Sequence, residues 1–250
     1  MRTDLIASLL VHARHTAQPI VVPEKTAIKT DVVAYRVQDK VFAKLWPGAH
    51  PVAWKAGGPS DKVEPTASPI APELVLKNPA RVSAKALGLV GVEGEVGFRL
   101  AKDLPSRDKA YGEEEIAAAI AEAVVTIEIC ASRIAKWKTA PGSWQLADFQ
   151  NHGSLVVGSG TKDWRKIDFR KQSMEIRVGA RVSKATGSHS FGDPFRLMPW
   201  IVAHCAERTG GLRKGDVVTT GAWTGLEAAK AGDEVVVSFP GIGEARLRIE

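Results

Sequence analysis

Val92-Glu93-Gly94-Glu95-Val96-Gly97-Phe98-Arg99-Leu100 is the stretch on which the fold turns. Apolar residues alternate with small or charged ones, the period of a strand with one face in a core. Residues two apart on a strand share a face, so Glu93 and Glu95 project together. Two carboxylates that close repel unless something positive lies between them. A second acidic strand, Thr126-Ile127-Glu128-Ile129-Cys130, follows downstream. Three carboxylates with water as the remaining ligand suit a hard divalent cation, Mg2+ or Mn2+. The alternative is a solvated acidic strand face.

The chain has 250 residues, 44% hydrophobic and 25% charged, which is ordinary globular composition. It is long enough to bury a core without staples, and a single domain over 1–250 is expected. Cys130 and Cys205 make no disulfide framework and no zinc spacing, so reduced thiols and a cytoplasmic setting are expected. The apolar run Leu5 to Val11 is short and leads into His12, Arg14 and His15, unlike a signal peptide. No stretch approaches the roughly 18 apolar residues of a membrane helix. The net charge of +6 is scattered, without a cationic block, so neither nucleic acid nor membrane is expected as a partner. The excess suits an anionic small molecule.

Outward from the acidic strand, helical spacing predicts helices over 3–16 and 32–46, the second capped by Asp31 and closed by Pro47-Gly48. Residues 1–48 therefore read as a helical N-terminal region. Gly, Pro and Ser make 56–72 a loop. Strands are predicted at 73–77, 92–100, 125–130, 154–158, 173–178, 217–220 and 234–238. Helices are predicted over Glu113–Ala123 and 195–208, and a polar loop over 139–153. The fold class is α+β, a short helical region on a strand-rich body.

Five segments in order resemble the fumarylacetoacetate hydrolase superfamily, in its hydratase and decarboxylase branch. They are Trp54-Lys55-Ala56-Gly57; Glu93-Gly94-Glu95-Val96-Gly97-Phe98; Ile127-Glu128-Ile129 with Ser132-Arg133-Ile134; Ala147-Asp148 to Gly153 with Val156-Val157-Gly158; and Leu212 to Ala222 with Ala231-Gly232-Asp233 and Pro240-Gly241-Ile242-Gly243. The resemblance spans about residues 30 to 245. It implies a mixed α+β fold with a rolled β-sheet core (a β-roll), a homo-oligomer, and Glu93, Glu95 and Glu128 as metal ligands. It implies a metal-dependent hydro-lyase that adds water to a 2-oxo-enoic acid of the 2-oxopent-4-enoate type, in aromatic-compound catabolism. Other readings are a 2-oxo-acid decarboxylase of the same branch, an acylpyruvate hydrolase, or a non-catalytic metal-binding subunit associated with a pathway decarboxylase or hydratase.

By the same resemblance, Lys55 is the cationic catalytic partner, and Asp148 orders water or holds a loop over the site. Thr220 and Gly221 border the substrate. The loop 148–153 departs from the family's small residues and serine, and in it Asn151 is a candidate to bind a substrate carboxylate through its amide. Arg133 is read as pairing with a carboxylate at the site or, the favoured reading, as bracing Glu128. The branch carries an aspartate soon after its lysine turn, whereas this chain reads Val63-Glu64-Pro65-Thr66. Glu64 is the candidate substitute, and His152 is a second candidate acid or base near neutral pH. His189, Trp144 and Trp223 stand in further loops and merit inspection, the tryptophans being more simply packing residues.

Overall fold

The structure is a computed structural model describing residues 2–23, 28–84 and 88–250. The chain begins with helices α1 (Arg2–Thr16) and α2 (Asp31–Leu45). Strands β1 (Ala53–Gly57), β2 (Thr66–Ile70), β3 (Val75–Lys77), β4 (Ala80–Val82), β5 (Leu89–Leu100) and β6 (Leu104–Pro105) follow. Helix α3 (Glu113–Ala119) leads into β7 (Ile120–Ala131), and α4 (Gly142–Ala147) leads into β8 (His152–Thr161). Strands β9 (Ser173–Val178) and β10 (Arg181–Thr186) precede helix α5 (Met198–Thr209). The chain closes with β11 (Gly211–Leu212), β12 (Val217–Ala222), β13 (Glu234–Phe239) and β14 (Gly243–Ile249).

Seven strands form one sheet in the order β2-β1-β12-β5-β7-β8-β3, and five form another in the order β10-β9-β13-β14-β4. The large sheet is built on β5 and β7, antiparallel and 12 residues each. On one face of β5, Val92, Val96, Phe98 and Leu100 join β7 residues Val125, Ile127 and Ile129 in the main core. The small sheet closes that core with Met174, Ile176, Val235, Val237 and Leu247. Gly94 belongs to this inner face. A Cβ there would stand 2.9 Å from Val237 and 3.0 Å from Met174. The Glu-Gly-Glu spelling therefore leaves room behind the acidic pair for the second sheet.

The opposite face of the large sheet carries Glu93 and Glu95. A separate cluster comprises Ile6, Leu10, Val37, Val41, Phe42, Trp46, Trp144 and Phe149. It packs α1, α2 and α4 together beside that face. Thr30, rather than Asp31, caps α2: its side chain accepts from the Val33 amide.

Several boundaries differ from the sequence-based expectation, for physical reasons. The helix expected over Glu113–Ala123 stops at Ala119, and Ile120 starts β7. Alanine-rich text favours helix locally, but β7 is hydrogen-bonded on both sides, to β5 and β8, and pairing overrides propensity. The expected 56–72 loop contains β2, antiparallel to β1. Pro69 disguised it, and proline is tolerated there because β2 is a sheet edge. Within 139–153 lies α4, and β8 begins at His152 rather than 154. Strands β10 and β14 were not anticipated, although β14 alternates buried Ala245, Leu247 and Ile249 with exposed arginines. No helix among the described residues is long and apolar enough to cross a membrane.

Candidate active site

Strand register brings the acidic residues together. Glu93 stands directly opposite Glu128 across the β5–β7 ladder, and Glu95 opposite Thr126. Glu95 and Glu128 are fully buried; Glu93 is partly exposed. Lys55 joins the same face from β1, whose neighbour β12 pairs with β5.

The Lys55 ammonium lies 2.7 Å from Glu128 Oε1 and donates to the Gln150 carbonyl at 3.1 Å. Burial disfavours its charge, but Glu128, with Glu93 and Glu95 behind it, overcomes that and raises its pKa. Burial likewise works against an ionised Glu128; Lys55 and His152 outweigh it and hold Glu128 down at about 2. Glu95 forms no ion pair among the described residues. Burial and the charges of Glu128 and Glu93 push it up to about 8. Glu93 is raised too, chiefly by burial. One carboxylate is thus neutralised by lysine, and the others lack sufficient positive charge.

Two buried carboxylate oxygens, Glu95 Oε1 and Glu128 Oε2, have no hydrogen-bond partner among the described residues. An orphaned buried acceptor is costly, and a cation is what an acceptor-only group takes. The residues present fit a divalent metal on this ground. Ligand atoms of Glu93, Glu128 and Cys130 lie within 4.8 Å of one another.

Glu95 is fixed through its other oxygen. Oε2 accepts from the Thr219 hydroxyl and, at 2.9 Å, from the Gly221 amide. The single Thr219 proton goes to Glu95, so Thr126 is the donor in the 2.7 Å Thr126–Thr219 contact. The Gly221 amide is available because β12 bulges between Thr219 and Ala222. Gly221 sits at φ 105°, where a side chain would be strained. His189 pins this bulge: Nε2 donates to the Thr220 carbonyl at 2.8 Å and Nδ1 accepts from the Phe191 amide at 3.3 Å. Burial lowers its pKa and keeps the ring neutral.

The remaining wall is the turn 148–152. Phe149, Gln150 and Asn151 all have positive φ, 54° to 59°. A left-handed non-glycine residue costs roughly 1–2 kcal/mol; three in a row need external support. Lys55 holds the Gln150 carbonyl, while Ser68 and Thr66 hold its side-chain amide at 2.9 and 2.7 Å. Arg133 donates to the carboxylate and carbonyl of Asp148 and, at 2.8 Å, to the His152 carbonyl. His152 is buried, with Nδ1 at 3.2 Å from Glu128 Oε1 and Nε2 without a partner among the described residues. Burial lowers its pKa.

Residues 48–250 match the family described as fumarylacetoacetate (FAA) hydrolase C-terminal. The chain belongs to the fumarylacetoacetate hydrolase family. Among curated relatives, the 2-keto-4-pentenoate hydratase of Paraburkholderia xenovorans is 30% identical over 160 residues, 64% of this chain. That alignment spans 58% of the relative's own length. The 2-keto-4-pentenoate hydratase 1 of Dechloromonas aromatica is 28% identical over 254 residues, covering 97% of this chain and 95% of the relative. A solved structure of 4-oxalocrotonate decarboxylase from Pseudomonas putida, complexed with magnesium and adipate, superposes with TM-score 0.86 at 20% identity. It covers 99% of this chain and 97% of the other, and the mixed fold with a curled sheet is therefore the fold of this family.

Within that family fold, Glu93, Glu95, Glu128, Lys55 and His152 converge on one face. Thr220 and Gly221 adjoin them through the bulge. Asp148 does not face this cluster with a free carboxylate. Both its oxygens are engaged, by Arg133 and Ser132, so it holds the turn rather than ordering water. Arg133 accordingly braces Asp148 and His152, not Glu128. Asn151 donates to Gln145 at 3.1 Å and lines a neighbouring cavity with Gln150 and Thr66. Glu64 is exposed and makes a long 3.5 Å contact with Trp200 Nε1, in a groove with Tyr35 and His204. Trp144 is buried among the helices, and Trp223 packs against Phe239. Thr219, Gln150 and Cys130 were missed. Cys130 alone carried a signal, standing two residues beyond Glu128 on one strand and hence on its face.

Proposed function

We propose that this protein is a divalent-metal-dependent hydro-lyase that adds water to a 2-oxo-enoic acid of the 2-oxopent-4-enoate type. The supporting observation is the Glu93–Glu95–Glu128 cluster, in which two buried oxygens have no partner among the described residues, beside Lys55, in a chain whose relatives are named hydratases. The cation, Mg2+ or Mn2+, would be held by Glu93, Glu95 and Glu128. When bound it supplies Lewis acidity toward the 2-oxo acid group of the substrate.

The protein's own groups do the rest. Lys55 keeps Glu128 ionised and presents an ammonium to the anionic substrate. Glu128 only accepts, so its bond to His152 places the imidazole proton on Nδ1 and the lone pair on Nε2. His152 is the free base, neutral near pH 7, that takes a proton from the enol or the adding water. Asp148 and Arg133 are positioning residues that hold the turn carrying His152. The Gly221 amide orients Glu95. Glu64 has no part in this reading. A cytoplasmic homo-oligomer acting in aromatic-compound catabolism completes it.

The test is incubation with 2-hydroxypenta-2,4-dienoate plus Mg2+ or Mn2+, following dienol absorbance and product mass. Metal-dependent gain of one water supports the hydratase. Loss of carbon dioxide from a 2-oxo diacid, with no hydration, would replace it with the decarboxylase.

A further inference from the structure

Cys130 is buried beside the acidic pair, 5% exposed. It pairs across the sheet with Gly91 on one side and His152 on the other. Its sulfur lies within 4.8 Å of ligand oxygens of both Glu93 and Glu128. Glu95 lies outside that group; its Oε2 is tied to Thr219 and Gly221, and its Oε1 stays free as a further ligand of the same cation. A cation with bonds of about 2.0–2.3 Å draws its ligand atoms to within about 4.6 Å of one another. The observed spacing is thus close to that of a common cation. A second observation points to a ligand here: Glu128 Oε2, fully buried, has no partner among the described residues.

We propose that Cys130 is a protein ligand of the cation held by Glu93 and Glu128, and that it tilts selection from magnesium toward thiophilic transition-metal ions. Hard oxygen sites suit magnesium, whereas a thiolate adds affinity for manganese, cobalt and zinc in rising order. On binding, the thiol proton is released to solvent as the sulfur–metal bond forms. The inference rests on the reading of the carboxylates as a metal site and narrows the choice of ion.

The experiment is titration of the full chain, stripped by chelator, with cobalt(II), recording near-ultraviolet absorption, with calorimetry for cobalt and magnesium. The expected result is a thiolate-to-cobalt charge-transfer band that saturates at one equivalent. Cys130→Ser abolishes the band and weakens cobalt binding at least about tenfold, since even outer-shell partners are worth about that much. Its magnesium affinity stays within about twofold, which also shows that the variant is folded. Cys205→Ser, altering the buried thiol of α5, leaves the band in place. Cobalt binding without the band, or a band surviving Cys130→Ser, overturns the proposal and leaves the hydratase reading standing. Failure of the unaltered chain to bind either ion overturns both.

Discussion

Lys55→Met keeps the aliphatic stem and removes the cation facing the acidic cluster. The Lys55 side chain is 13% exposed and the Glu128 side chain 0%, with 2.7 Å between charges. At an effective dielectric constant near 20 the gross attraction is about 6 kcal/mol. What matters for stability is the orphaned charge, and removing one partner of a buried pair costs about 3–5 kcal/mol. At about 2–4 °C per kcal/mol for a chain of this size, melting falls by roughly 6–20 °C in metal-free protein at pH 7. The loss shrinks when Mn2+ is added, because the cation restores a positive partner to Glu128. It also shrinks toward pH 4, where Glu128 takes up a proton instead. The Gln150 carbonyl loses its donor as well, so proteolysis within 148–152 accelerates. Thermal melts with and without Mn2+ measure this. A loss below about 1 kcal/mol, or an equal loss in both conditions, would refute the electrostatic argument.

Four further outcomes follow from the same geometry. In metal-free protein Glu95 titrates near 8 when folded against 4.5 as its ordinary value, so the folded state holds an extra proton between them. Stability then falls as pH rises through that window, and saturating Mn2+ removes the slope; melting temperature against pH reads it. Glu128 has the opposite sign: its contribution is present above its ordinary 4.5 and is lost as pH falls toward 2. Arg133→Met leaves Asp148 buried and unpaired and costs about 3–5 kcal/mol by urea denaturation, with kcat reduced as His152 loses its anchor. Gly94→Val drives side-chain atoms into Val237 and Met174 and costs about 1–3 kcal/mol in the same assay.

The acidic face was legible because its signal is local. Glu-Gly-Glu has the period of a strand, and Glu128 stands in a plainly β-branched run. The α1 and α2 helices were legible for the same reason, each having its own apolar stripe. Other features depend on partners distant in the chain. Nothing near Ala119 says that the helix ends there; the reason is β5 and β8 on either flank. For Asp148 the sequence left ordering water and holding the loop both open, because its partner Arg133 lies 15 residues away and across a turn. Glu64 looked like a substitute for a missing acid by spacing, but it stands before β2 at a sheet edge and meets Trp200. The left-handed run at Phe149-Gln150-Asn151 contains no glycine, so no residue type announced it.

The most direct test of the central claim is Mn2+ binding followed by electron paramagnetic resonance of the free ion. The structure predicts one tightly bound ion per chain, lost in the Glu93→Gln, Glu95→Gln double variant while the fold, by circular dichroism, is retained. Equal binding by the two proteins would contradict the assignment of these carboxylates as the metal site.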